Sequence, residues 1–478
     1  MLNIPVLRHG RPYQSIDQVE LLHHATGEPV ARVSQANSGM LARDIGRVRS
    51  GVLESLPVGE LIARCAEASE RFLHDELPLG DPAGPRQSFD DYVRSLSATT
   101  GMPVTYCREN AAKIHRVLRE LESVLAGLTR GLPLEILDRG HGQRQGRTLS
   151  FFRDGRVFGA VLPSNSPGVH GLWIPAVALK APVVLKPGRE EPWTPLRIIE
   201  ALSAAGVPRE AFGFYPTDHT GAAELLRCVD RAMLFGDAMT TRPWADDPRI
   251  ELHGPGYSKV LLGDDAAGEW ETHLDVMVSS IAANGGRSCI NASAVWTPRS
   301  GCKIAEALAA RLAKVEALPA DDPRAEIAAF ANPAIAESIS ASIDAGLREP
   351  GAEDVTQRLR GTPRLVRRGR VAWLLPTIVR CEGWEHSLAN REFLFPYASV
   401  VECPKERMAE TIGRTLVVSA ITRDQRLIDS LMASPNIERL NLGPIPTTRI
   451  SWDQPHEGNL FELLYRQRAF QSAETAQT

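Results

Sequence analysis

The chain of 478 residues carries 54 lysines and arginines against 58 aspartates and glutamates, a formal net charge of −4, and so offers no broad basic field for nucleic acid or an anionic membrane. Its apolar share of 43% and charged share of 23% match ordinary globular usage and exclude a disordered or fibrous chain. At this length two or three packed domains are expected rather than one small core.

The opening MLNIPVLRHGRPYQS has no apolar core behind a basic start, and no run of about eighteen apolar residues occurs; a cytoplasmic protein without a membrane span is expected. Seven cysteines, at 65, 107, 228, 289, 302, 381 and 403, are scattered and never spaced as CxxC. That pattern argues for reduced thiols, against both a disulfide framework and a structural metal.

Short extended segments open the chain. Helices are predicted at roughly 41–75 and 105–130, where apolar residues recur every three or four positions, and LPLGDPAGPRQS between them reads as a surface loop. Over 134–162 short strand-like runs separated by Gly-containing turns predict a hairpin. Next come VFGAVLP, a helix near 170–180, APVVLKPG, the helix TPLRIIEALSAAG, AFGFYPT, GAAELLRC and RAMLFG. This alternation of buried strand and amphipathic helix predicts a mostly parallel, doubly wound sheet, the fold class of dinucleotide-binding domains. From about 253 a second α/β region follows, with helices at 303–315, 325–346 and 424–433 and strands SAVWTP, VAWLLPTIV, YASVVEC and LVVSAIT. The polar tail QSAETAQT is expected to fray.

One segment invites a chemical reading. In NGGRSCINAS (284–293) a Gly pair precedes Cys289 among small and polar residues, which permits the tight turn and backbone donors that an accessible nucleophile needs. Taken alone, a buried structural thiol beside a turn is the commoner outcome.

Five further segments stand around it: TGEPVARVSQAN (26–37), VLPSNSPG (161–168), APVVLKPGREEPWTP (181–195), ELHGPG (251–256) and REFLFP (391–396). In this order and together with NGGRSCINAS, they resemble the landmarks of the aldehyde dehydrogenase superfamily, over nearly the whole chain. The resemblance implies an α/β fold in three parts. These are a Rossmann-type dinucleotide-binding domain (1–133 and 154–252), an α/β catalytic domain (253–447), and a small β oligomerisation arm (134–153 with 448–478). It implies an aldehyde substrate, NAD or NADP as cofactor, and Cys289 as nucleophile. The Asn165 amide and the Cys289 backbone N–H would stabilise the oxyanion, and Glu251 would be the base that hydrolyses the thioester. Lys186, Glu392, Gly236, Arg189, Pro163 and Ser164 would contact the cofactor.

Each implied role meets a physical need. Thiolate addition to an aldehyde leaves a charged oxygen that requires preorganised donors, and a C–H that can depart as hydride. A carboxylate such as Glu392 accepts bonds from both hydroxyls of a ribose, and an ammonium such as Lys186 suits the crevice beyond a strand's carboxyl end.

The sequence also departs from the family pattern. Arg189 stands where an acid would favour NAD, and its guanidinium could pair with the 2′-phosphate of NADP, although Glu190 and Glu191 blunt that pull. Gly236 lacks the family's second glycine, and Asp237 beside it sets a carboxylate near the expected pyrophosphate. His253 replaces a glycine in ELHGPG, where it would stiffen the loop or act itself as an acid–base group. ELHGPG is also somewhat like the branch that passes the acyl group to coenzyme A, while retention of Glu251 favours hydrolysis. A non-catalytic dinucleotide-binding scaffold is the remaining alternative. The C-terminal region keeps only an outline of the family's segment, which favours a homodimer over a tetramer. The aromatic groups His170, Trp173, Trp296 and Phe395 flank the motifs as core or as substrate wall.

Overall fold

The protein is described by a computed structural model that covers residues 1–455 and 457–471; most of the polar tail lies outside the described residues. Two seven-stranded sheets organise the chain. In the first, the order is Ile250–His253, Arg231–Phe235, Phe158–Val161, Val183–Lys186, Phe212–Phe214, Val6–Arg8 and Arg11–Tyr13. The first five strands run parallel and the last two antiparallel. Starting from Phe158–Val161 the chain builds outward to Val183–Lys186 and Phe212–Phe214, then crosses back to add Arg231–Phe235 on the other side. The strand order therefore reverses beside Phe158–Val161, and the crevice beyond its carboxyl end is where ligands of such sheets bind.

Burial on both faces explains the composition of these strands. FGAV at 158–161 is buried throughout, and a Cβ on Gly159 would meet the side chains of Leu225 and Val229. Glycine there lets the covering helix His219–Cys228 lie close to the sheet. The helix Val58–His74 turns Leu61, Cys65, Ala68 and Phe72 into the core, one face of a 3.6-residue repeat. Buried Arg197 donates to the carbonyls of Phe72, Asp75 and Gln87 at 2.9 Å each, satisfying groups that would otherwise be orphaned at that helix end.

The second sheet runs Ala352–Asp354, Thr377–Cys381, Tyr397–Glu402, Ala294–Thr297, Lys259–Leu262, Thr415–Ile421 and Ile437–Leu442, parallel except for its first strand. Its amino edge meets the carboxyl edge of the first sheet, because only residues 254–258 separate Ile250–His253 from Lys259–Leu262.

Several expectations change in detail; the helix expected at 105–130 divides at Glu120 into Val104–Arg119 and Leu121–Leu128. Residues 41–75 form not one helix but Ser38–Ile45, a short turn of helix at Ser50–Leu53, and Val58–His74. The helix expected at 325–346 starts at Pro333, capped by the Asn332 side chain on the Ala334 N–H at 3.1 Å; proline suits a first helical position. VAWLLPTIV divides into Val371–Leu374 and Thr377–Cys381, strands of different sheets, because Pro376 lacks a ladder donor.

The hairpin His141–Arg144 and Arg147–Arg153 is present, and Tyr465–Gln467 of the same chain pairs with its second strand. The C-terminal strand is thus short, three residues long. No helix among the described residues is long and apolar enough to cross a membrane. All seven cysteines are free.

Candidate active site

The carboxyl edge of the first sheet carries the loops after Val161, Lys186, Phe235 and His253. The amino edge of the second carries Gly256–Ser258, the cysteine loop and the 391–396 segment. Cys289 lies where the two edges meet.

A strained turn delivers the thiol. Asn284, Gly285 and Gly286 have φ of 55°, 62° and 67°, three successive left-handed residues. A Cβ on Gly286 would strike the Phe395 carbonyl and the Pro396 nitrogen, so glycine is required where the turn packs against REFLFP. Asn284 accepts from Asn110 Nδ2 at 2.8 Å and donates to Ser166 Oγ at 3.2 Å and Ser288 Oγ at 3.1 Å. This buried network fixes the Asn165 loop relative to the cysteine loop. The Cys289 carbonyl accepts from Ser258 Oγ at 2.9 Å, and a Cβ on Gly256 would collide with that carbonyl, which accounts for glycine in ELHGPG. Among the described residues the Cys289 backbone N–H donates to no carbonyl. Asn165 spends one of its two amide hydrogens on the Arg287 carbonyl at 2.7 Å, and the other is available.

The thiol does not face Glu251 directly. It donates to Glu457, whose carboxylate oxygens both stand 3.3 Å from Sγ. Glu457 and Gly458 take φ of 54° and 89°, a second left-handed pair, and a Cβ on Gly458 would run into the Glu251 carboxylate. His253 lies between the two acids, with Nε2 donating to Glu251 Oε1 at 3.0 Å and Nδ1 3.7 Å from Glu457 Oε2. Its ring stacks on Phe235 with centroids 4.4 Å apart. Burial would depress the imidazolium, but the bonds to Glu251 and Glu457 outweigh it and raise the pKa to about 9. At neutral pH the pair of acids thus brackets a cation. Burial, reinforced by the charges of Glu457 and Glu392, pushes the Cys289 thiol well above its ordinary range. The resting group is therefore a thiol already bonded to a base, an arrangement for nucleophile activation.

Glu392 is half-buried near the same point. Its carboxylate accepts the Tyr257 N–H at 2.6 Å, and burial pushes its pKa up to about 7 against that bond and the nearby Lys259. Lys259, wholly buried, donates to the Tyr257 carbonyl at 2.7 Å and to Thr415 Oγ1 at 3.1 Å. Lys186 ends its strand at the reversal of strand order, opposite Val161. Ser164 Oγ accepts the Glu190 N–H at 3.2 Å, and a Cβ on Gly188 would collide with Ser164 Oγ and the Pro163 carbonyl; these two loops form one continuous wall. Arg189 is exposed. Gly236 leads into Asp237, which caps Ala238–Thr241 by accepting the Thr240 N–H at 2.8 Å.

A cavity of about 70 Å³ is lined by Cys289, its walls mostly apolar and including Val117, Val124, Leu128, Leu172, Met233 and Trp452. A wider cleft of about 750 Å³ lies on the far side of Glu457 and takes in Glu251 and His253. Glu457 and Gly458 line both and divide them. Trp173, Trp296 and Phe395 belong to the hydrophobic core instead. Buried His170 bonds Glu191 at 3.0 Å and accepts from Trp173 Nε1 at 3.0 Å.

Comparison with known proteins gives the family. The model of the aldehyde dehydrogenase family matches residues 86–413. The chain belongs to the aldehyde dehydrogenase family. It is 26% identical over 305 residues to the betaine aldehyde dehydrogenase of Sinorhizobium fredii, covering 59% of this chain and 60% of that protein. To the N-succinylglutamate 5-semialdehyde dehydrogenase of Vibrio cholerae it is 28% identical over 257 residues, 51% of this chain and 50% of that one. The chain thus spans 60% or less of the length of these curated relatives. A solved NAD+ complex of an aldehyde dehydrogenase from Bacillus cereus superposes with a TM-score of 0.76 at 15% identity, covering 98% and 96% of the two chains; it shows the aldehyde dehydrogenase fold.

Glu457 and the Asn110–Asn284 pair escape the sequence reading. Glu457 lies 168 positions from Cys289, in a segment with only an outline of the family pattern. Its one signal is a Glu–Gly pair immediately before the helix-capping Asn459.

Proposed function

We propose that the protein oxidises an aldehyde to a carboxylic acid with NAD or NADP, through a thioester on Cys289. The observation that carries this reading is the Cys289 thiol in the lining of a mostly apolar cavity, bonded at 3.3 Å to the Glu457 carboxylate. As the thiol attacks, its proton passes to Glu457 while sulfur bonds to the carbonyl carbon. The new oxyanion takes the free Asn165 N–H and the Cys289 backbone N–H. After hydride loss, Glu251, held by His253, draws a proton from the water that attacks the thioester, and Glu457 returns its proton to sulfur, so that Cys289 leaves as the thiol.

The crevice supports the cofactor half of the reading. Lys186 stands there with no hydrogen bond or ion pair among the described residues; burial lowers its pKa while Glu190 and Asp218 pull it back up. With Ser164 and exposed Arg189 beside it, this donor set fits a ribose and phosphate. Pro163 supplies an apolar neighbour, and one oxygen of Glu392 remains for a ribose hydroxyl. Asp237 fills the short turn after Gly236 with its own carboxylate, so the pyrophosphate must find its donors elsewhere. When bound, the nicotinamide ring accepts the hydride.

The test is reduction of NAD and NADP, followed at 340 nm by absorbance, over a panel of aldehydes with and without coenzyme A. Turnover without coenzyme A is expected. Absolute dependence on coenzyme A would replace hydrolysis by acyl transfer, and silence across the panel would remove the reading.

A further inference from the structure

Among the described residues that line the cavity with Cys289, one is a cation. Lys113 lines it from the helix Val104–Arg119, one turn before Val117, which lines the same wall. Glu457, at the thiol, is the one acid among the described residues that line the cavity. The Lys113 stem passes close to Gly168, whose added Cβ would lie 3.9 Å from Lys113 Cδ.

An ammonium in such a place needs a partner, because removing it from water without compensation is unfavourable. Several buried cations of this chain have one, while Lys186 in the cofactor crevice does not. Lys180 pairs with Asp138, Lys259 donates to a carbonyl and a hydroxyl, and Arg364 binds Asp344 and Asp354. Lys113 makes no hydrogen bond and no ion pair among the described residues, and Glu109, one turn earlier, is exposed. Burial accordingly depresses the Lys113 ammonium, with Glu109 opposing. Most of the surrounding wall is apolar, and none of its polar groups bonds Lys113, so an anion arriving from solution would bind here more strongly than at the surface.

We propose that the cavity selects aldehydes bearing a carboxylate at the end remote from the carbonyl, with Lys113 pairing that carboxylate while Cys289 takes the aldehyde carbon. This rests on the dehydrogenase reading above. Glu457, bonded to the Cys289 thiol, repels an anion there, and Lys113 in the same lining attracts it, which favours one orientation.

Two experiments separate this proposal from the reading on which it rests. First, kcat/KM is measured for succinic, glutaric and adipic semialdehydes and for butanal, pentanal and hexanal. The wild type is expected to favour the acids, and Lys113→Met to lower the acid-to-alkanal ratio by about tenfold or more, chiefly through KM. Lys113→Arg, which keeps the charge, should retain the preference. An unchanged ratio in Lys113→Met overturns the proposal, as does a wild type that favours the alkanals. Second, alkylation of Cys289 by iodoacetamide is followed with glutarate or pentane-1,5-diol as protectant, a readout that needs no turnover. Glutarate should protect the wild type at a concentration about tenfold below that needed in Lys113→Met, and below that needed of the diol. Protection without turnover keeps the carboxylate site and removes the dehydrogenase reading. Alkanal turnover without selective protection does the reverse.

Discussion

Replacing Glu457 by glutamine removes the carboxylate from Sγ while keeping its shape. Two consequences oppose each other. A unit charge 3.3 Å from Sγ interacts with a thiolate by about 1 kcal/mol at the dielectric constant of water and about 5 kcal/mol at an effective value of about 20. Removing that repulsion makes the thiolate easier to form. The same substitution removes the proton acceptor, and a positioned base contributes about 10²–10⁴-fold to rate. At neutral pH the second effect wins, because the buried thiol still lies well above its ordinary pKa from desolvation alone. Glu457→Gln is therefore expected to lower kcat/KM at pH 7 by about 100-fold and to recover much of it as pH rises. The pH curve for alkylation of Cys289 by iodoacetamide should move to lower pH than in the wild type. A fall of less than about threefold in kcat/KM, or an alkylation curve moved to higher pH, would refute the assignment of Glu457 as the base that meets the thiol.

Other substitutions probe the remaining roles. His253 is raised from 6.5 to about 9 in the folded protein, so its stabilisation is fully present below about pH 6.5 and is lost as pH rises through about 9; the shift corresponds to about 3 kcal/mol. The Tm gap between wild type and His253→Gln, followed by calorimetry, should be widest near pH 6 and close by about pH 10; a gap that widens with pH would contradict the bracketed imidazolium. Asn165→Ala should lower kcat by about 100-fold or more with a smaller change in KM, whereas a loss confined to KM would make Asn165 a binding residue only. Arg189→Ala should shift the ratio of kcat/KM for NADP over NAD toward NAD, and a constant ratio would exclude contact with the 2′-phosphate.

The parts of the fold that were legible were those in which local chemistry and tertiary demand agree. The buried strands FGAV and VVLK read as β because both faces are covered, and their loops fall at one edge because the strands run parallel. Cys289, Asn165, Lys186 and Glu251 were legible only as a set, because their segments stand in the order of the aldehyde dehydrogenase landmarks; taken singly, each reads as a structural thiol, a turn residue or a solvated charge. Pro376 and Asn332–Pro333 carried the boundary signals that the apolar pattern around them obscured. Glu457 was not legible, since its approach to Cys289 depends on a left-handed Glu–Gly pair and on a segment folding back across 168 positions. His253 could be seen as unusual, but only the second acid made it a bridge. Lys113 looked like one more polar position on an amphipathic helix, and the cavity alone distinguishes it.

The central claim is a covalent acyl group on Cys289, and rapid-quench peptide mass spectrometry during turnover with aldehyde and oxidised cofactor tests it most directly. The peptide containing Cys289 should gain the mass of the aldehyde less two hydrogens, and Cys289→Ala should lose both that adduct and the formation of reduced nicotinamide. Reduction of cofactor by Cys289→Ala at the wild-type rate would contradict the account.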